Sequence, residues 1–231
     1  MREVLLEVTC AVCGNPGRSP CGPCADRLKP APLLPPPAGV DACLALLAYE
    51  GTGRELVARL KYRNHRAVVA GLAAAMASLV PEPALLQVVT WAPTTPQRRR
   101  QRGFDQGELL SRAVSRRLAL PCRRLLVRLP GTPQTGRPLA ERHTGPRLTA
   151  RRTPLIADRA VLVVDDVVTS GSTAAAAAHA LRGAGARSVM VLAAARTPGR
   201  APPLSAYAYT GDVAYGSVVA SRCQSQAKRP T

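Results

Sequence analysis

Across residues 161–173 the chain changes character three times: Val161-Leu162-Val163-Val164, then Asp165-Asp166-Val167-Val168, then Thr169-Ser170-Gly171-Ser172-Thr173. Four aliphatic residues, mostly β-branched and with no alternating polar partners, read as a strand buried on both faces, as in a parallel sheet covered by helices. Two carboxylates stand where that strand is expected to end. The next five residues set four hydroxyls around one Gly and open an Ala-rich helix, whose free N–H groups and dipole favour an anion. The order strand, acidic pair, hydroxyl cup, helix predicts an α/β fold.

The loop has no Lys, so it is not a P-loop, and no G-x-G-x-x-G, so it is not the dinucleotide fingerprint. Two other readings compete. An ordinary strand–turn–helix needs one hydroxyl as a cap, whereas four are present. An acidic pocket of the response-regulator kind also ends a strand with magnesium-binding carboxylates, but leaves the hydroxyls without a role. All thirteen residues resemble the diphosphoribose-binding signature of type I phosphoribosyltransferases. That resemblance implies that Thr169, Ser170, Gly171, Ser172 and Thr173 hold a 5′-phosphate. It also implies that Asp165 and Asp166 hold the ribose hydroxyls, directly or beside a bound magnesium.

A chain of 231 residues can bury one substantial core and carry a small extra module. Its formal charge of +18 is Arg-rich, which suits phosphate groups on a small sugar phosphate or on a nucleic acid, and a GC-rich genome raises Arg without functional demand. Arg2, Glu3 and Glu7 interrupt the apolar core a signal peptide needs, and the apolar stretch 67–80 is too short to cross a bilayer as a helix. The expectation is a cytoplasmic protein without membrane insertion.

Cys10-x-x-Cys13 and Cys21-x-x-Cys24 flank a short Gly- and Pro-containing loop, the spacing of two knuckles around one tetrahedral structural zinc. Redox pairs or disulfides are the alternatives, and the cytoplasmic reading disfavours them. The Pro-rich residues 29–37 read as a semi-rigid linker. Three units are expected: zinc knuckle and linker over 1–38, an α/β domain over 39–197, and a weakly ordered tail over 198–231. Strands are expected near 42–49, 86–91, 125–129 and 188–193, with helices over 53–63, from about Gln106, and over 173–182. Between Trp91 and Gln106 runs a Pro-, Thr- and Arg-rich loop that places Arg98, Arg99, Arg100 and Arg102 at a sheet edge, where ligands of open α/β sheets bind. A solvated basic loop or a nucleic-acid patch is the alternative. Residues 130–152 read as a mobile Gly/Pro/Arg loop or a disordered insertion. The resemblance to type I phosphoribosyltransferases, in which a flexible loop closes over the substrate, implies Gln134, Arg137, Arg142 and Arg147 as candidates to approach it. None of His65, His143 and His179 falls at metal or triad spacing with carboxylates.

The Cys knuckles, Leu60-Lys61-Tyr62-Arg63, the Arg run with Gly103-Phe104-Asp105-Gln106, Thr132-Pro133-Gln134-Thr135-Gly136 and the 165–173 signature, in that order, resemble the ComF family of competence-associated, phosphoribosyltransferase-like proteins. The family usually has Asn where this chain has Asp105, and its V-P-V-P is here Thr90-Trp91-Ala92-Pro93. The resemblance implies a parallel sheet flanked by helices, phosphoribosyl pyrophosphate and magnesium as ligands, and an Arg run facing the pyrophosphate. It also implies, as alternatives to turnover, a DNA-uptake factor binding single-stranded DNA beside a competence helicase, or a sensor of the sugar phosphate. No segment announces the acceptor.

Overall fold

The aliphatic run of the signature is an inner strand of a four-stranded parallel sheet. The computed structural model describes residues 9–60, 66–130 and 145–198. In chain order the elements are α1 (Gly22–Ala25), β1 (Ala42–Ala48), α2 (Gly51–Arg59), α3 (Arg66–Ala77), β2 (Val88–Trp91), α4 (Pro96–Arg102) and α5 (Gln106–Leu118). There follow β3 (Leu126–Arg128), β4 (Leu148–Ala150), β5 (Ala160–Val168), α6 (Ser172–Gly183) and β6 (Ser188–Arg196). The sheet order is β1-β6-β5-β2, and β3 and β4 form a separate antiparallel pair. β5, α6 and β6 make one crossover unit, with Val163 opposite Val191 and Val164 opposite Leu192.

Strand alternation divides the apolar residues between two cores. On one face Leu162, Val164 and Leu192 pack against Leu56 and Val57 of α2, Met76 of α3, and Leu110 and Val114 of α5. On the other, Val161, Val163 and Val191 pack against Ala174, Ala177 and Leu181 of α6 and against Leu126 of β3. Both faces of β5 are therefore dry, which is why its sequence is continuously aliphatic rather than alternating. The small residues of α6 let it lie close on the sheet and bring its N-terminus to the carboxyl edge.

Four expectations change in detail. The carboxylates lie within β5 rather than after it, because Val167 and Val168 continue the ladder opposite Ala195 and Arg196. The arginines stand on a helix, α4, because Thr95 caps its start, Pro96 fits its first turn and Gly103, at φ 77°, closes it in the left-handed region. The strand near 125–129 belongs to the antiparallel pair and not to the main sheet. The Pro-rich residues 29–37 lie along the sheet edge: Ala31 N–H donates to Leu46 O, Ala48 N–H to Lys29 O, and Pro30 bridges antiparallel to Leu47. Lys61, Tyr62, Arg63, His65, Gln134, Arg137, Arg142 and His143 lie outside the described residues, as does the tail beyond 198. No helix among the described residues is long and apolar enough to cross a membrane.

Candidate functional site at the carboxyl edge of the sheet

Asp165, Thr169, Gly171 and Thr173 line one small pocket at the end of β5. Gly171 makes the turn into α6 at φ 76°, ψ −1°, a backbone state in which a Cβ would also meet Pro37 Cγ at 2.7 Å. No side chain at the cap position accepts from α6, in contrast to α4 and α5, which Thr95 and Asp105 cap. Ser170 Oγ instead donates to Ser172 Oγ at 3.0 Å and accepts from Ser172 N–H at 3.4 Å. The hydroxyls thus gather within the loop, and the first turn of a twelve-residue helix keeps donors for an anion. The cap explanation of the Ser/Thr cluster loses its footing here.

The cup is held from two further sides. Thr197 N–H donates to Val168 O and its hydroxyl to Thr169 O. Buried Arg196 donates to Leu34 O at 3.0 Å and Pro35 O at 2.7 Å, which fixes the segment carrying Pro37 against Gly171. Gly145 lies so close to the start of α6 that a Cβ there would meet Ser172 O at 2.5 Å.

Asp165 Oδ1 accepts from Asp166 N–H and Asp166 Oδ1 from Val167 N–H, both at 2.8 Å. Burial, and then the neighbouring Asp166 carboxylate, push the Asp165 carboxyl well above the usual carboxylate range. Two carboxylates side by side at a dry edge, each with an oxygen left over, form an oxygen donor set that fits a hard cation such as magnesium or a pair of sugar hydroxyls.

The four arginines separate by helix geometry. Arg102 donates to Gln106 Oε1 at 2.8 Å. Arg99 lines a second cavity of about 120 Å³ with Trp91, Glu108 and Arg124. Arg100 is exposed, and Arg98 stands near Arg128 of β3. Asp105 does not face a ligand: its carboxylate accepts from Thr94, Gly107 and Glu108 N–H groups, capping α5 and tying it to the end of β2. An Asn oxygen makes the same α5 cap, but its amide nitrogen cannot accept from Thr94 N–H, so the carboxylate adds a tie to the end of β2 that the usual Asn lacks.

Arg128 is the site residue that sequence reasoning missed. Its signal was phase: it follows buried Leu126 by two residues, with exposed Val127 between them. The guanidinium donates to Pro93 O at 3.0 Å, and its charged neighbours are Arg98, Asp105 and Asp165.

Away from this edge, the ligand atoms of Cys10, Cys13, Cys21 and Cys24 all lie within 4.8 Å of one another. Cys13 and Cys21 sulfurs are 3.6 Å apart, near the roughly 3.8 Å that a tetrahedral site with zinc–sulfur bonds of about 2.3 Å requires. Four soft thiols, with no fifth donor in the cluster among the described residues, fit structural zinc. In the bare cluster burial opposes ionisation of Cys10, yet N–H donors from Cys13, Cys21 and Val12 hold it down to about 6. Burial and the neighbouring sulfurs push Cys24 up to about 12. Ala11 is buried with Leu46 and Leu47, so the knuckle rests on the main core.

Residues 105–226, just over half of the chain, match the family model for the phosphoribosyl transferase domain. No curated protein matches the chain by sequence. Similar solved structures include the allosteric regulatory enzyme of purine biosynthesis, at 20% identity over 59% of this chain and 30% of that one, with a TM-score of 0.41. Another is glutamine phosphoribosylpyrophosphate amidotransferase from B. subtilis complexed with ADP and GMP, at 19% identity over 58% and 30%, with a TM-score of 0.42. The chain spans about 30% of the length of these two proteins.

Proposed function

Because the chain belongs to the phosphoribosyl transferase domain family, we propose that it binds phosphoribosyl pyrophosphate with magnesium and passes the phosphoribosyl group to a nitrogen acceptor. The observation that carries this reading is the continuity of Asp165 and Asp166 with an uncapped helix N-terminus behind left-handed Gly171. That edge offers hydroxyl recognition and anion recognition within a few residues.

In this reading the 5′-phosphate takes the N–H and hydroxyl donors of residues 169–173, and the ribose hydroxyls lie against Asp165 and Asp166. The bond between C1 and the bridging oxygen breaks with its electron pair left on pyrophosphate. The acceptor nitrogen forms the new bond to C1 and gives its proton to solvent. Positive charge developing on the ribose ring is stabilised by the two carboxylates, and negative charge on the leaving group by the cations of the α4 side. Bound magnesium supplies further charge neutralisation at the pyrophosphate. Zinc in the cysteine cluster orders the knuckle and takes no part in the chemistry, since four protein ligands leave no open position.

Calorimetric titration of phosphoribosyl pyrophosphate with magnesium into the wild type and into an Asp165→Asn, Asp166→Asn double variant tests the reading. Binding that disappears in the variant supports it and justifies an acceptor screen. Absence of binding to the wild type refutes it.

The exposed arginines of α4 and of the outer face of α5, Arg112, Arg116 and Arg117, favour a second reading, the competence role of a ComF protein, in which single-stranded DNA is held without turnover beside a helicase. Salt-sensitive strand binding that survives Asp165→Ala supports that alternative.

A further inference from the structure

One run of backbone joins the cysteine cluster to the phosphate cup. Cys24, the last thiol of the cluster, sits in α1, where the Cys24 and Ala25 N–H groups donate to Cys21 O and Leu28 N–H donates to Ala25 O. Leu28 packs against the main core, and the chain then lies antiparallel on β1, with Ala48 N–H donating to Lys29 O at 2.9 Å and Ala31 N–H to Leu46 O at 3.2 Å. Farther on, Arg196 holds the Leu34 and Pro35 carbonyls, and Pro37 fills the space beside Gly171.

The middle of this run buries little, since Leu33 is 57% exposed and Pro35 and Pro36 are exposed as well. Its position is therefore set by a few hydrogen bonds and by its two ends rather than by apolar packing. Pro30, Pro32, Pro35, Pro36 and Pro37 stiffen it, so a displacement at one end is carried to the other instead of being absorbed. The knuckle end has few apolar residues of its own and draws its order from metal at the four thiols. The cup end is fastened by Arg196, which is only 7% exposed, and the next residue, Thr197, braces Val168 O and Thr169 O of the cup.

We infer that residues 25–37 are a strap through which metal in the knuckle shapes the phosphate cup, with Arg196 as the positioning residue that fastens it. The strap is a single element that both sites bias, so the coupling is reciprocal. Metal tightens phosphate binding, and phosphate in the cup tightens metal binding by the same factor. The inference rests on the proposed function for what the cup holds, whereas the effect of the strap on the cup backbone requires no ligand.

Amide hydrogen exchange of the full chain, zinc-loaded and then stripped by a chelator, reads that effect directly. Removing zinc is expected to speed exchange at least about fivefold at Ala31 and Val40, which hydrogen-bond along the strap, and at Ala175 and Thr197, whose acceptors are Gly171 O and Val168 O. Amides of α5 should stay within about twofold. Loss of protection that stops at the strap, or that reaches α5 equally, overturns the coupling. Arg196→Met should loosen Ala175 and Thr197 with zinc still bound and make them indifferent to its removal, and Arg196→Lys, which keeps a donor, should restore part of the response. Pro37→Ala leaves both Arg196 hydrogen bonds in place, so it repeats the test without disturbing the buried guanidinium. A zinc response at Ala175 that is undiminished in Pro37→Ala overturns the strap. Ribose 5-phosphate should bind at least about fivefold more weakly to the stripped protein and raise zinc affinity by the same factor, and equal affinity for the two forms also overturns the coupling. Wild type that ignores ribose 5-phosphate refutes the sugar-phosphate cup, and the exchange result still decides the strap.

Discussion

Replacing Gly171 by Ala is expected to damage both the fold and the cup, and the two causes can be measured apart. At φ 76° the new Cβ enters the left-handed region, which costs an L-residue roughly 1–2 kcal/mol. The same Cβ meets Pro37 Cγ at 2.7 Å and Pro37 Cβ at 3.0 Å, an overpacked contact worth about 1–3 kcal/mol. Together these give a loss of about 2–5 kcal/mol, or a fall in Tm of roughly 4–20 °C for a chain of this size. Pro37→Ala removes the Cγ responsible for the shorter contact. In a double-mutant cycle read by chemical denaturation, Gly171→Ala should therefore cost less in the Pro37→Ala background, with a coupling of about 1 kcal/mol. The backbone share of the loss remains in both backgrounds. Refutation would come from Gly171→Ala within about 0.5 kcal/mol of wild type. A cycle with no coupling would show instead that residues 29–37 do not press on the cup.

Asp165→Asn should stabilise the ligand-free protein at neutral pH while weakening sugar-phosphate binding. A carboxyl whose folded-state pKa is raised contributes stability that is fully present below its unfolded value and lost as pH rises through the folded one. The advantage of Asn in thermal unfolding should accordingly shrink to nothing as the pH is taken down to about 4. At Asp105, Ala removes the α5 cap and the Thr94 tie and should cost about 2–3 kcal/mol by urea denaturation, whereas Asn keeps the cap, loses the Thr94 acceptor and should cost about 1 kcal/mol. Metal binding at the four cysteines should release protons at neutral pH, because the Cys24 thiol is pushed up to about 12 without metal. Calorimetry in buffers of different ionisation enthalpy counts them. Cobalt substituted for zinc should give the absorption of a tetrahedral thiolate site in wild type and lose it in Cys24→Ser. Metal affinity should fall as pH drops through about 6, where the Cys10 thiolate takes up its proton in the bare cluster.

Much of the sheet was legible because local chemistry and tertiary position agree there. Residues 161–164 are continuously aliphatic since both faces of β5 are covered, and Gly171 is the only residue in its loop that enters the left-handed region without strain. The C-x-x-C pairs were legible for a similar reason, since two short turns carry most of the geometry of the cluster. The arginine run was harder. Its composition suggested a loop, but Thr95, Pro96 and Gly103 are helix start and stop signals spaced for a two-turn helix, and the repelling arginines between them masked that pattern. The proline-rich stretch read as a spacer because proline lacks a donor, yet its carbonyls still accept, and Arg196 uses two of the carbonyls in this segment.

Sequence alone determined the parallel α/β sheet, the order acid pair to hydroxyl cup to helix, and the four-thiol cluster, because each depends on residues close together in the chain. Tertiary structure decided which charges meet. Arg128 and Asp165 are brought near one another, Pro37 is set against Gly171, and Asp105 is spent on backbone N–H groups rather than on a ligand. Such encounters follow from where α4, the β3–β4 pair and residues 29–37 pack around one sheet edge. Electrostatic and steric effects there depend on distance through space, which hydrophobic periodicity does not encode.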